Sequence, residues 1–357
     1  MVFLDYASTN PWPNYRCSDY YRPLFNVNTN YAFAEKRMLD ESEERVKKAI
    51  GAKSGKVVFG GTSSQLIENL MTVVVEETNF PYIVCSAFEH DSFFRHGNII
   101  GYSKKDLFNK LQSAKEYDTE DQKFVVWQGV NNLTGEIFPI TEIGNACHEH
   151  DAFYICDMTA MIGKVPIPTD IDQWCDCAVW SGHKLGTELG IGAMWVSDRL
   201  NKWLNGFKLH GTPNLAGALA MTQAVEDVCD IINIECHNKH WIALYKYLGH
   251  GLIDNQVKFE TVDAGGCGTH CAAINAIRLP GFNADALQQY LASKQIYVSI
   301  GGSACAESHD YRVLNAYGLS SDEASEVIRV SFGEDSSVED VENLVKGIKE
   351  FKELYVK

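Results

Sequence analysis

Residues 178–184 read Ala178-Val179-Trp180-Ser181-Gly182-His183-Lys184, an apolar run that breaks at a glycine and delivers a histidine and a lysine. Short apolar runs of the same kind stand at Lys56–Gly60, Tyr82–Ser86, Phe124–Gln128, Phe153–Cys156 and Ala193–Val196. Helical patterns lie between several of them. Residues 33–51 form an amphipathic stretch closed by Gly51, and Thr62–Glu76 and Thr141–His150 follow with helical spacing. Short buried strands alternating with helices predict an α/β domain with a mostly parallel sheet. In such a sheet ligands gather beyond the carboxyl ends of the strands, so the residues after each strand carry the chemistry.

Gly61-Thr62-Ser63-Ser64 follows the first strand. A glycine that admits close backbone approach, with hydroxyls at a helix N-terminus, makes a phosphate cup; the same residues also read as an ordinary N-cap. Glu89-His90 follows the second strand, Asn131-Asn132 the third, Asp157 the fourth and Gly182-His183-Lys184 the fifth. Alone, the histidine reads as structural and the aspartate as a cap. Lysine, however, is rarely buried without a partner or a covalent role. The ordered set of cup, histidine, asparagine, aspartate and lysine matches pyridoxal phosphate. The lysine forms a Schiff base, the aspartate pairs with the pyridinium nitrogen so that the ring acts as an electron sink, and the histidine can stack on the ring.

Composition narrows the class. The 357 residues carry 31 Lys or Arg against 47 Asp or Glu, a net charge of −16, with 45% hydrophobic and 22% charged residues. These values exclude a largely disordered chain and argue against nucleic acid or an anionic membrane as partner. No apolar run approaches the ~18–20 residues of a membrane-spanning helix, and the opening MVFLDYAST has no secretory pattern. Eleven irregularly spaced cysteines are expected as free thiols in a reducing cytoplasm. Asn214–Leu248 is a long proline-free helical region. Strand candidates at Val257–Val262 and Ala272–Leu279, a helix at Asn283–Lys294, a Gly-rich loop and two more helices follow, which predicts a smaller α+β domain. The expected division is a large domain at 12–232 and a small one made of 1–11 with 233–357. The acidic stretch Glu334–Glu342 reads as a solvated helix start. Cys175-x-Cys177 lacks a second pair and Cys267, His270 and Cys271 lack a fourth ligand, so no metal site is expected.

Several spaced motifs then combine. Leu4–Pro11 (LDYASTNP) is similar to an LD-x-A-A-T-T-P opening, and Val130-Asn131-Asn132 through Gly135 and Pro139-Ile140 is similar to VNNE-x-G…PI. Gly163-Lys164-Val165-Pro166, Ser181-Gly182-His183-Lys184, Gly190-Ile191-Gly192-Ala193, Gly302-Ser303-Ala304-Cys305 and Ile328-Arg329-Val330-Ser331-Phe332-Gly333 follow in order. Nearly end to end, the chain resembles the class V aminotransferase family of pyridoxal-phosphate enzymes, fold type I. Within that family it resembles the cysteine desulfurases of the NifS/IscS kind. The resemblance implies a seven-stranded, mostly parallel sheet in the large domain. Lys184 would hold pyridoxal 5'-phosphate, Asp157 would pair with its ring nitrogen, and His90 would stack on the ring and move protons. Asn132 would approach the ring hydroxyl and the substrate. Gly61, Thr62, Ser181 and His183 would hold the phosphate, with Thr212 reaching the phosphate of the other subunit of a homodimer. Arg329 would grip the substrate α-carboxylate, a task suited to a planar bidentate donor. Cys305 would take sulfur from L-cysteine as a persulfide and release alanine, then pass the sulfur to an acceptor protein, for example in iron–sulfur cluster assembly.

The chain also departs from that pattern. Ala160 stands where the family carries a glutamine near the ring hydroxyl. Asn205-Gly206-Phe207-Lys208-Leu209-His210 replaces a Gly-Gly-Gln-Glu segment followed by paired arginines, with Lys208 or His210 as the available substitutes. Residues 27–34 are altered too, and the stretch after Cys305 is short. These departures keep a second reading open: another class V reaction, such as selenocysteine lyase, cysteine-sulfinate desulfinase or aminotransferase. A third reading is a non-catalytic partner protein on the same fold, against which the intact Lys184, Asp157 and Arg329 speak.

Overall fold

The computed structural model describes residues 1–20, 24–78, 81–113, 122–262, 270–301 and 310–356. The chain divides into two compact units: Pro11–Gly129 with Pro139–Ile234, and Met1–Asn10 with Val130–Phe138 and Glu235–Lys357. After a short N-terminal strand, β1 (Val2–Phe3), the first of these units carries a seven-stranded sheet. Its strands are β2 (Lys56–Gly60), β3 (Tyr82–Ser86), β4 (Ile99–Gly101), β5 (Lys123–Val126), β6 (Ala152–Asp157), β7 (Cys177–Ser181) and β8 (Gly192–Val196). They lie in the order β2-β8-β7-β6-β5-β3-β4. Only β8 runs against its neighbours; the pairs β3–β4, β3–β5, β5–β6 and β6–β7 are parallel. The carboxyl ends of β2, β3, β5, β6 and β7 therefore share one edge of the sheet.

Alternation along the strands explains the layering. Ile83 and Cys85, Phe124 and Val126, Phe153 and Ile155, Cys177 and Val179, and Met194 and Val196 point to one face. They meet Leu66, Ile67, Leu70, Met71 and Val74, the apolar stripe of helix Ser63–Glu77. The intervening Val84, Val125, Tyr154, Cys156, Ala178 and Trp180 are equally buried on the other face. A sheet covered on both sides reads as continuous apolar runs, which is why six of its seven strands are visible in the sequence.

The second unit holds a four-stranded sheet of order β12-β13-β10-β9, with β9 at Glu260–Thr261, β10 at Ile274–Arg278, β12 at Ser299–Ile300 and β13 at Val327–Ser331. A separate parallel pair joins β1 to β11 (Ile296–Tyr297). Helices Ala284–Ser293 and Val338–Tyr355 belong to this unit; Ser337 and Asp340 form a capping box at the start of the second. The proline-free region after Asn214 is two helices, Leu215–Val228 and Ile231–Asp254. Asp230 separates them: its Oδ1 accepts from the N–H groups of Ile232 and Asn233, as an N-cap does. No helix among the described residues is long and apolar enough to cross a membrane.

Candidate active site

In the larger unit the expected residues collect at the shared edge of strand ends. Asp157 closes β6 and is buried, with its Oδ1 accepting from Thr159 N–H at 2.8 Å. Its carboxylate has no ion-pair partner among the described residues, and a buried, unpaired charge is costly. A cationic ring nitrogen would relieve that cost, so Asp157 fits the group its position calls for. Ser181 ends the adjacent strand β7, and Gly182–Lys184 form the single turn beyond it. Lys184 is half-buried there. Burial, and then the Lys184 charge, pull the His183 pKa from 6.5 down to about 4, so its imidazole is neutral.

His90 follows β3 and caps the short helix Asp91–Phe94. Its Nδ1 accepts from Ser92 N–H at 3.2 Å and faces Ser92 Oγ at 3.0 Å, so the ring proton of the neutral form sits on Nε2. Ser92 Oγ in turn meets Ser64 Oγ at 3.0 Å, which ties the histidine to the hydroxyl cluster after β2. In that cluster Thr62 is the N-cap of helix Ser63–Glu77, its hydroxyl accepting from Gln65 N–H at 3.0 Å, while Gln65 Oε1 accepts from Gly61 N–H at 3.1 Å. The local capping role is thus realised in full at Gly61 and Thr62. Thr212 is exposed, and its hydroxyl accepts from Asn26 Nδ2 at 3.2 Å, while Asn28 Nδ2 donates to Gly211 O at 3.0 Å. Ala160 is buried in the turn after Asp157.

The smaller unit brings Asn132 and Arg329 together. Asn131 is fully buried and its Oδ1 accepts from the N–H groups of Leu133 and Thr134, an Asx-type turn. Gly135 completes the loop at φ +77°, where a Cβ would lie 2.2 Å from Ile274 O. Tyr317 braces it from outside, donating to Glu136 Oε2 at 2.5 Å and accepting from Thr134 Oγ1 at 3.0 Å. The carbonyl of Asn132, so held, accepts from Arg329 Nη1 at 3.0 Å. Arg329 lies in β13 and is almost wholly buried; its Nη2 reaches Asp5 Oδ1 at 2.7 Å, Ser8 Oγ at 2.5 Å and Ser299 Oγ at 3.0 Å. Asp5 and Ser8 lie in the opening motif and Ser299 just ahead of the Gly-rich loop; the sequence pattern assigned them no part.

Cys305 and its loop, and Cys267, lie outside the described residues. Burial pushes the thiols of Cys147, Cys156, Cys175 and Cys177 well up, and Cys17 is raised to about 11 by burial and Glu188. Such thiols stay protonated and are poor nucleophiles. Cys175 Sγ donates to Cys177 O at 3.0 Å, and His270 Nε2 bonds Ile274 O at 3.0 Å while its ring packs on Tyr245.

Residues 2–344 match the aminotransferase class-V family. The chain is 27% identical over 384 residues to a protein of Dictyostelium discoideum named "Probable cysteine desulfurase, mitochondrial", covering 98% of this chain and 82% of that one. It is 26% identical over 377 residues to cysteine desulfurase IscS of Anaeromyxobacter dehalogenans, covering 97% and 91%. A NifS-like protein of solved structure superposes with a TM-score of 0.82 at 20% identity, and one from Rickettsia africae with 0.79 at 20% identity; both alignments cover 99% of each chain. With the strand-end aspartate and lysine in place and the match running almost the whole length, the chain belongs to the class V aminotransferase family of pyridoxal-phosphate enzymes.

Proposed function

We propose that this enzyme is a cysteine desulfurase that converts L-cysteine to L-alanine and carries the sulfur as a persulfide on Cys305. The observation that carries the reading is the pair of adjacent strand ends: a buried Asp157 without a cationic partner among the described residues, and Lys184 one turn beyond β7. Lys184 would hold pyridoxal 5'-phosphate, Asp157 would pair with its ring nitrogen, and Gly61, Thr62, Ser181 and His183 would hold its phosphate. Bound there, the cofactor supplies an electron sink conjugated to the substrate amine. Neutral His183 donates without adding charge. His90, with its proton on Nε2, moves protons beside the ring. Arg329 takes the α-carboxylate and Asn132 orients the substrate. The Cys305 thiolate attacks the substrate sulfur; the C–S bond breaks, a S–S bond forms, and the carbon takes a proton, so that alanine leaves and a persulfide remains.

A homodimer with Thr212 directed to the partner's phosphate site is part of the same reading. The exposed aromatics Phe25, Tyr31 and Phe33 support it, because their segment is tied to the Gly211–Thr212 loop through Asn26 and Asn28. The domains act as a cofactor-binding part at 12–232 and a part carrying Cys305 and Arg329 at 1–11 and 233–357. The acidic, thiol-rich composition favours the cytoplasm, and an acceptor protein, such as an iron–sulfur scaffold, receives the sulfur.

The test compares wild type with Cys305→Ala for alanine and sulfide released from L-cysteine with a thiol reductant, after visible absorption has confirmed the cofactor. Equimolar products from wild type and neither from the variant are expected. A coloured protein that makes no alanine would overturn the reading. It would favour the second one, a different class V substrate such as selenocysteine or cysteine sulfinate, which buried Ala160 motivates.

A further inference from the structure

Arg329 is 2% exposed, and its Nε is buried without a hydrogen-bond partner among the described residues. A buried guanidinium N–H left unmade is expensive and asks for an acceptor. The other two nitrogens both have partners. Nη1 is held by Asn132 O, and the two hydrogens of Nη2 face three oxygens, on Asp5, Ser8 and Ser299. The Ser299 hydroxyl donates to Asp5 Oδ1 at 2.8 Å. With the Nη2 hydrogens on the two nearest oxygens, those of Asp5 and Ser8, the Ser8 hydroxyl hydrogen has only Ser299 Oγ, at a long 3.2 Å. Ser8 is half-buried and fixed in place: its N–H bonds Asp5 O at 3.0 Å, and Ala7 N–H bonds Ser331 Oγ at 2.9 Å. The network thus leaves Arg329 Nε–H without an acceptor among the described residues and Ser8 O–H with only a long one, on neighbouring groups. The family opening quoted above has alanine at the position of Ser8, so the second donor is this chain's own.

We propose that the Ser8 hydroxyl is a second ligand for the substrate α-carboxylate, shared with Arg329 Nε, while Asp5 holds Nη2 so that the Nε edge is the one on offer. The inference rests on the reading of Arg329 as the carboxylate-binding residue. A carboxylate offers one oxygen to each waiting donor, and its charge strengthens both bonds.

The experiment titrates the cofactor-loaded protein with L-alanine, which has the carboxylate but no sulfur to transfer, and with alaninol, which lacks the carboxylate. Binding is followed by the change in visible absorption, independently of turnover. Wild type is expected to prefer L-alanine. Ser8→Ala should weaken L-alanine binding about tenfold, as for a lost hydrogen bond to a charged group, and leave alaninol unchanged. Ser8→Thr, which keeps the hydroxyl, should restore most of the preference. A Ser8→Ala variant that prefers L-alanine as strongly as wild type, or that loses both ligands equally, overturns the Ser8 assignment alone. A wild type that binds L-alanine no better than alaninol overturns the carboxylate role of Arg329 and this inference with it.

Discussion

Asp176 and Arg199 meet at 3.0 Å where β7 begins, at the opposite end of the strand from Lys184. The Asp176 carboxylate also accepts from His148 Nε2 and Tyr154 N–H at 3.0 Å and from Ser197 Oγ at 3.2 Å. Arg199 stacks over the Phe153 ring at 4.2 Å. One buried acid therefore fastens helix Ile140–Glu149, β6, β7 and helix Asp198–Trp203 together.

Removing that acid strands its partners. Asp176→Ala is expected to cost about 1–3 kcal/mol, because the buried Tyr154 N–H and Ser197 hydroxyl lose their acceptor while Arg199, more than a third exposed, is left largely to water, measured by denaturant unfolding. Burial opposes ionisation of Asp176, but the His148 hydrogen bond, the Arg199 charge and the Tyr154 N–H outweigh it and hold the pKa below 3.8. A depressed acid contributes stability above its unfolded pKa and loses it as the pH falls through the folded one. Asp176→Asn should therefore flatten the acid limb of the stability profile below about pH 4; an unchanged limb would refute the assignment.

Glu43 predicts the opposite slope. Burial raises its pKa from 4.5 to about 7, Asp40 adds to the rise, and Lys47 and Lys56 oppose it. The folded chain favours the protonated acid, so this contribution is present below pH 4.5 and is lost as the pH rises through 7. Glu43→Gln should stabilise at pH 8.5 by on the order of 1 kcal/mol, discounted for partial solvent screening, and do nothing at pH 4. Equal effects at both pH values would count against it.

Gly135→Ala is expected to destabilise by about 2–3 kcal/mol, combining the left-handed backbone with a collision against Ile274 O. The Asn132 carbonyl depends on this loop, so L-alanine binding should weaken in the same variant. A stable variant with normal binding would show that the loop yields without consequence.

Asp157→Asn should keep the cofactor but lower alanine production about 10²–10³-fold, the scale of losing one preorganised electrostatic partner. A turnover assay with absorption as the loading control checks it. Unchanged turnover would separate Asp157 from the chemistry.

Strands β2 and β3 stand where the apolar runs of the sequence placed them: β3 is buried on both faces and reads as a continuous apolar run, while β2, at the sheet edge, alternates buried and half-buried residues. β4 (Ile99–Gly101) escaped notice: three residues carry no period. β13 was read as a motif around Arg329 rather than as a strand. The break at Asp230 was missed because a single N-cap inside a long apolar pattern is a weak signal beside a proline. At the site, the strand-end residues were legible since topology puts them at one edge. The partners of Arg329 were not, because Asp5 and Ser8 lie 324 and 321 residues away and spacing says nothing about contacts at that separation.

The same separation sets a timetable for biosynthesis. A ribosome adds about 5–20 residues per second, so Asp5 and Ser8 leave it on the order of 20–60 seconds before Arg329 does. Pro11–Gly129 and Pro139–Ile234, the larger unit, can be complete while the first ten residues still wait for the strand that will receive them. The Arg329 network is thus among the last features of the newborn chain to close. A change at Asp5 or Ser8 would reach the arginine directly.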